Sequence, residues 1–395
     1  MCMGSHHSLR IPSWPVDKHP VLELTPLMPS PCSPTAAIPV SSNSAARSAA
    51  RSAARPTIRL SFGENQHSRC SSLFRTDFTP RCTGSMERVA LSSSFGRKQA
   101  MNRICIVSSS STELLEMHSE DPSLHILFIP GNPGIASYYK DFAEALYELL
   151  EGQASITAIG HISHSRKDWE HGRMFSLQEQ INHKVDFIKQ EHQNSELPII
   201  LVGHSIGSYI SLEIFKRLPQ QVTCVIGLYP FLSLNRNSRK QSMIGMLAGS
   251  SILSAAISSF TGFLGSFPTR VTSAIVRRSL GQSWSATAVD VTCSHLVQYH
   301  TMRNVLFMAM TEFKKLAEEP DWEFMKRKQN QITLLFGIDD HWGPLSLFEE
   351  VSRQAPGIAL SIEREGHTHA YCCSEAGSAW VARYVADLVK NQISN

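Results

Sequence analysis

The sequence lacks the usual marks of metal and nucleotide chemistry. Its nine cysteines form no Cys-x-x-Cys pair and no Cys/His spacing of the kind that holds zinc. Neither a Gly-x-Gly-x-x-Gly fingerprint nor a Walker spacing is present, which argues against a dinucleotide or nucleotide cofactor. No cofactor and no metal are therefore expected. The first residues hold no long apolar core such as a secretory signal needs. An odd number of thiols, two of them adjacent at Cys372 and Cys373, reads as mostly free cysteine in a reducing compartment.

Excess charge is also missing. The 395 residues carry a net charge of only +3, and it is unevenly spread. Residues 1–100 hold 12 Lys+Arg against 5 Asp+Glu, and residues 101–395 hold 25 against 29. A slightly acidic main part gives no reason to expect nucleic acid as a partner.

Residues 1–100 are rich in Ser, Ala, Pro and Arg, and a Ser-Ala-Ala-Arg tetrad repeats from Ser44 to Arg55. Such a stretch cannot bury enough apolar surface to offset its ordering entropy, so it is expected to be a disordered extension. The same composition fits an organelle transit peptide. Residues 101–395 are expected to form one domain.

In that domain short apolar runs alternate with helical patterns. Strands are expected at 126–129, 155–159, 199–202, 222–228, 332–336 and 358–362. Ser176 and Glu179 form a capping box before a helix running to about Glu191. Strands alternating with helices imply an α/β fold, a mostly parallel sheet with helices on both faces. About a hundred residues, roughly 231–330, carry no strand signal and read as a helical lid insertion. Inside it, residues 241–269 contain no Asp, Glu, Lys, Arg or His, and Arg270, Arg277 and Arg278 follow. Three readings compete there: a plain lid, a lid that also lies on a lipid surface through about 241–278, and a membrane-spanning helix.

The strongest motif is Gly203-His204-Ser205-Ile206-Gly207, placed between an apolar strand and a helical pattern. That is the context of a nucleophile elbow, which marks the α/β-hydrolase fold and makes Ser205 the candidate nucleophile. A serine hydroxyl needs a base oriented by an acid, in the chain order Ser, acid, His. The acid belongs after a late strand, where Gly337-x-x-Asp340-x-x-x-Pro344 favours Asp340 over Asp339. The base belongs after the last strand, where His367 and His369 compete, with His341 a distant third. Oxyanion donors are expected at the Ile206 N–H and in the loop Gly131-Asn132-Pro133-Gly134. Pro133 cannot donate, so Asn132 is the candidate there.

The strings Phe128 to Gly134, Tyr138-Tyr139, Val202 to Tyr209, Ile275 to Arg278, Gly337 to Pro344 with Trp342, and His369-Ala370 resemble the lipid droplet-associated hydrolase family. In that family the catalytic His precedes Ala and the acid lies two residues before Trp, which implies His369 and Asp340. The chain departs from the pattern at His341 and Gly343. The resemblance implies a serine hydrolase acting on a lipid ester, a sterol ester or an acylglycerol, at the lipid droplet and the cytosolic face of the endoplasmic reticulum, with a role in lipid storage. Two alternatives stay open. One is a droplet-organising protein with little or no turnover. The other is an acyl-thioesterase or acyltransferase that uses the same triad.

Overall fold

The computed structural model describes residues 98–193, 195–280 and 283–393. The expected disordered extension falls almost wholly on residues 1–97, outside the described ones. The described chain opens with β1 (Met101–Val107), β2 (Ser110–Met117) and β3 (Leu124–Ile129). There follow α1 (Lys140–Leu149), β4 (Ala154–Ile159), α2 (Leu177–Glu191), β5 (Ile199–His204), α3 (Ile206–Arg217) and β6 (Val222–Leu228). Six helices then intervene: α4 (Arg239–Gly249), α5 (Ser251–Gly265), α6 (Thr269–Leu280), α7 (Ala286–Val291), α8 (Tyr299–Leu316) and α9 (Trp322–Arg327). The chain closes with β7 (Ile332–Gly337), α10 (Leu345–Gln354), β8 (Ala359–Glu363) and α11 (Glu375–Ile393).

The strands form one sheet in the order β1-β2-β4-β3-β5-β6-β7-β8. From β4 to β8 the neighbours run parallel, while β2 meets β4 and β1 meets β2 antiparallel. The antiparallel pair at the edge is not apparent in the apolar pattern. β1 exposes most of its residues, and β2 reads Ser-Ser-Thr-Glu-Leu-Leu-Glu-Met.

The central strands are mostly apolar because both of their faces are covered. Ile199 and Leu201 of β5 join a core with Ile181, Val185 and Ile188 of α2 and with Ile210 and Ile214 of α3. Ile200 and Val202 point the other way, into a core with Phe142 and Leu146 of α1 and with Val381 and Val385 of α11. Successive side chains of a strand alternate faces, so one continuous run serves two cores. The capping box that opens α2 is present, with Ser176 accepting from Glu179 N–H and Glu179 accepting in return from Ser176 N–H.

The charge-free segment forms two helices. Ser250 Oγ accepts from Leu253 N–H and caps α5, and α4 and α5 meet at 90°. Among the described residues no single helix is long and apolar enough to cross a membrane, although the bent pair together has the length and composition. Both helices lie close on α8. A Cβ at Gly245 of α4 would stand 2.9 Å from the Phe313 ring, and one at Gly262 of α5 would stand 2.9 Å from Tyr299 Cβ.

Candidate active site

Parallel β5 delivers Ser205 to the carboxyl edge of the sheet, directly before α3. Ser205 has φ 56° and ψ −124°, a conformation that costs an L-residue about 1–3 kcal/mol. The surroundings hold it there. Ser205 N–H donates to Leu228 O at 2.9 Å, and Phe231 N–H reaches Ser205 O at 3.2 Å. The two glycines of the motif are required by contact. A Cβ at Gly203 would lie 2.4 Å from Gly207 O, and one at Gly207 would lie 2.2 Å from Ile129 O.

His369 Nε2 lies 2.9 Å from Ser205 Oγ, and His369 Nδ1 lies 2.8 Å from Asp340 Oδ2. An ionised carboxylate only accepts, so Nδ1 carries the proton and Nε2 is free to accept from the serine hydroxyl. Asp340 is buried, and its other oxygen accepts from Trp342 N–H at 2.9 Å. Asp339 is exposed beside it. His367 stands against the Trp380 ring at 5.8 Å between centroids, and His341 carries its carbonyl to Gln241 Nε2 at 2.8 Å. The structure thus gathers Ser205, Asp340 and His369 and leaves the competing residues apart.

The loop after β3 passes close to the serine, since a Cβ at Gly131 would be 3.1 Å from Ser205 Cβ. Its N–H groups are largely committed inward. Gly131 N–H donates to Tyr139 Oη at 3.1 Å, Gly134 N–H donates to His164 Nδ1 at 2.8 Å, and Pro133 has none. The N–H of Asn132 takes part in neither bond. The N–H of Ile206 lies in the first turn of α3, where no intrahelical acceptor exists.

Several residues not singled out by the sequence support this arrangement. His204 is buried, and burial pushes its imidazole well below the usual range, so it is neutral. Its Nε2–H donates to His369 O at 2.9 Å, and its Nδ1 accepts from Tyr139 Oη–H at 2.7 Å. His164 is held neutral at a pKa of about 3 by burial, with Lys184 adding to the effect, and can therefore accept from Gly134 N–H. Glu312 of α8 is buried beside Asn132, and desolvation raises its carboxyl to about 8. His204 sits inside the motif and Tyr139 is part of a recognisable string, but nothing in the sequence marked Glu312.

The model of the lipid-droplet associated hydrolase family matches residues 122–372. The chain belongs to this family. A lipid droplet-associated hydrolase of Dictyostelium discoideum is 28% identical over 272 residues, 66% of this chain and 86% of that protein. The Homo sapiens lipid droplet-associated hydrolase is 26% identical over 290 residues, 69% of this chain and 86% of that protein. Among solved structures, haloalkane dehalogenase DatA from Agrobacterium tumefaciens C58 superposes with a TM-score of 0.55 at 14% identity, covering 74% of this chain and 97% of that one. Epoxide hydrolase VrEH1 from Vigna radiata gives 0.52 at 14% identity, covering 74% and 99%. These likenesses show the α/β-hydrolase fold.

In this family member a pocket of about 170 Å³ opens beside Ser205 and His369. Its walls are mainly apolar, formed by Tyr138, Trp284, Leu296, Ala370, Cys372 and Cys373. Trp284 and Leu296 come from the insertion, which therefore lines the site. Its hydrogen bond to Cys373, followed by burial, pushes the Cys372 thiol well above its usual value. Among the described residues no group of three or more His, Cys, Asp or Glu could hold a metal ion.

Proposed function

We propose that the chain is a serine hydrolase of lipid esters, with Ser205 as nucleophile, His369 as general base and acid, and Asp340 as the orienting carboxylate. The observation that carries the reading is the unbroken hydrogen-bonded line from Ser205 Oγ through His369 to Asp340, with distances of 2.9 and 2.8 Å. Ser205 Oγ attacks the acyl carbon while Nε2 takes its proton. The carbonyl oxygen becomes an oxyanion, received by the Asn132 and Ile206 N–H groups. Nε2–H then protonates the leaving alcohol oxygen as the ester C–O bond breaks. Water, deprotonated by Nε2, attacks the acyl-serine; Nε2–H then returns the proton to Ser205 Oγ as the acyl C–Oγ bond breaks, and the carboxylic acid leaves. Asp340 stays ionised and stabilises the imidazolium formed in each half.

The apolar pocket favours an aliphatic acyl group, and the outer face of the insertion favours an interface as the place of work. Met246, Ile252, Phe260 and Phe263 are 65%, 79%, 62% and 60% exposed. Exposed Arg270, Arg277 and Arg278 lie just beyond them, an apolar face with a cationic flank of the kind that settles on lipid. Together with the names of the relatives, this favours a sterol ester or acylglycerol as substrate. It also favours the droplet surface or the cytosolic face of the endoplasmic reticulum as the place, and lipid storage as the role. The same exposed face supports a second reading, a droplet-organising protein with little turnover. Acyl-thioester hydrolysis or acyl transfer would use the same triad.

A fluorophosphonate probe tests the nucleophile, and a panel of substrates separates the readings. The wild-type chain should be labelled and Ser205→Ala should not, and a panel of emulsified lipid esters should be cleaved only by the wild type. Equal labelling of both proteins sinks the nucleophile assignment. Labelling without cleavage of any ester, or of an acyl-thioester added to the panel, favours the organising role.

A further inference from the structure

The Asn132 side chain is held from the insertion. Its Nδ2 donates to Val305 O and to Glu312 Oε1, both at 3.0 Å and both on α8. The two acceptors use both Nδ2 hydrogens. A main-chain carbonyl can only accept, so Val305 fixes which end of the amide faces α8. Gly131 and Gly134 anchor the loop on either side through their own N–H groups, to Tyr139 and His164, and the Asn132 side chain adds the anchor that comes from α8.

Glu312 is an unusual residue to find there. It is 3% exposed, and among the described residues no ion pair includes it. Burying a carboxyl without a cation is costly, and the nearly neutral state that burial imposes only moderates the cost. Stability alone is a weak reason for an acid at this position. α8 is also the helix on which α4 and α5 lie, the pair that carries the exposed apolar face.

We propose that Glu312 is a positioning residue: it holds Asn132 so that the Asn132 N–H faces the oxyanion formed at Ser205, and it makes that donor depend on the seating of α8. The inference rests on Ser205 being the nucleophile. An oxyanion donor displaced by about 1 Å costs on the order of 10²-fold in rate without weakening ground-state binding. Movement of α4 and α5 at a lipid surface would reach the donor through α8.

The test uses the full chain and a fluorophosphonate probe, with the maximal labelling rate and the half-saturating concentration measured separately. Glu312→Leu is expected to lower the maximal rate on the order of 10²-fold and to leave half-saturation within about twofold. Glu312→Gln, which keeps the acceptor oxygen, should restore most of that rate. Asn132→Ala keeps the main-chain N–H and loses only the two anchors, so it should be as slow as Glu312→Leu, and the double variant no slower than either. Wild-type rates in a folded Glu312→Leu, or failure of Glu312→Gln to restore the rate, overturn the proposal. Should Glu312→Leu fail to fold, Asn132→Ala decides, and a wild-type rate there overturns it equally. Labelling that survives Ser205→Ala would instead remove the nucleophile reading on which the inference stands.

Discussion

His204 Nε2 donates to the carbonyl oxygen of His369 at 2.9 Å, so the residue before the candidate nucleophile is bonded to the loop that presents the candidate base. The other ring nitrogen accepts from Tyr139 Oη–H, and Tyr139 Oη accepts from Gly131 N–H. One buried line of hydrogen bonds thus joins the loop after β3, the turn after β5 and the loop after β8. All three lie at the carboxyl edge of the sheet, where the parallel strands deliver their connections. Ring contacts reinforce it, with Tyr371 5.0 Å from His204 and Tyr229 5.5 Å from Tyr371 between centroids.

Tyr139→Phe tests that line. The substitution keeps the ring and removes one oxygen, leaving Gly131 N–H and His204 Nδ1 without partners in a buried setting. The expected cost is about 1–3 kcal/mol of folding stability, read as a lower urea midpoint. Labelling of Ser205 should also slow, because both neighbouring loops lose a restraint. An unchanged midpoint would mean that water replaces the lost hydroxyl.

Asp340→Asn tests the acid. An amide can present Nδ2–H to His369 Nδ1 and so favour the tautomer whose Nε2 carries the proton, which cannot accept from Ser205. A loss of about 10⁴-fold in turnover is expected, with the fold retained. Asp339→Asn, at an exposed position one residue away, should change turnover little. Comparable losses in both would show that charge at the turn matters more than the contact.

The acid-stability profile follows from the buried imidazoles. Burial holds His125 and His164 at about 3 and His183 at about 2, with His161 and His204 also well below the usual value. In the unfolded chain each titrates near 6.5. The unfolded state therefore binds more protons than the folded one below that pH. Stability from these groups is complete above about pH 6.5 and is lost as pH falls toward 3, by up to about 1.4 kcal/mol per pH unit for each group. Glu312, raised to about 8, works in the opposite sense between about pH 4.5 and 8, but it is one group against five. The urea midpoint should drop clearly from pH 7 to pH 5. A flat midpoint over that range would mean that the imidazoles are not neutral in the folded chain.

How much of this was legible depended on whether a local rule forced the residue. The elbow is legible because Gly203 and Gly207 sit where any Cβ would strike backbone, so the spacing is dictated by contact. The turn from Gly337 to Pro344 singled out one of two adjacent aspartates. The run Gly366-His367-Thr368-His369 offers two imidazoles within three residues, and periodicity does not choose between them; the neighbouring Ala370 did so through the family resemblance. β1 was invisible because an edge strand exposed on most positions carries no apolar run. Glu312 was invisible for a different reason. It lies close to Lys314, Lys315, Glu318 and Glu319 in what reads as a solvated helix end, and only the packing of α8 onto the loop after β3 buries it. The uncharged stretch 241–269 read first as a lid, with or without a lipid contact, and only last as a span; its break, capped by Ser250, falls inside a run whose composition does not mark it.

A 90° bend lays α4 and α5 at right angles, with their apolar side chains outward. Phe260 and Phe263 stand 62% and 60% exposed, three residues apart on α5, and Phe267 is 5.1 Å from Phe263 between ring centroids. Burying one such side chain in lipid is worth about 1.5–3 kcal/mol. A carboxylate in its place gives up that gain and adds repulsion from anionic headgroups. The variant Phe260→Asp/Phe263→Asp should therefore remain in the aqueous phase when wild-type protein floats with phospholipid-coated triacylglycerol droplets. Because both side chains already face water, its circular dichroism and urea midpoint should match the wild type. Arg277→Ala/Arg278→Ala should weaken flotation mainly on droplets containing phosphatidylserine, and high salt should reduce that difference. Equal flotation of all three proteins would mean that this face does not carry the lipid contact.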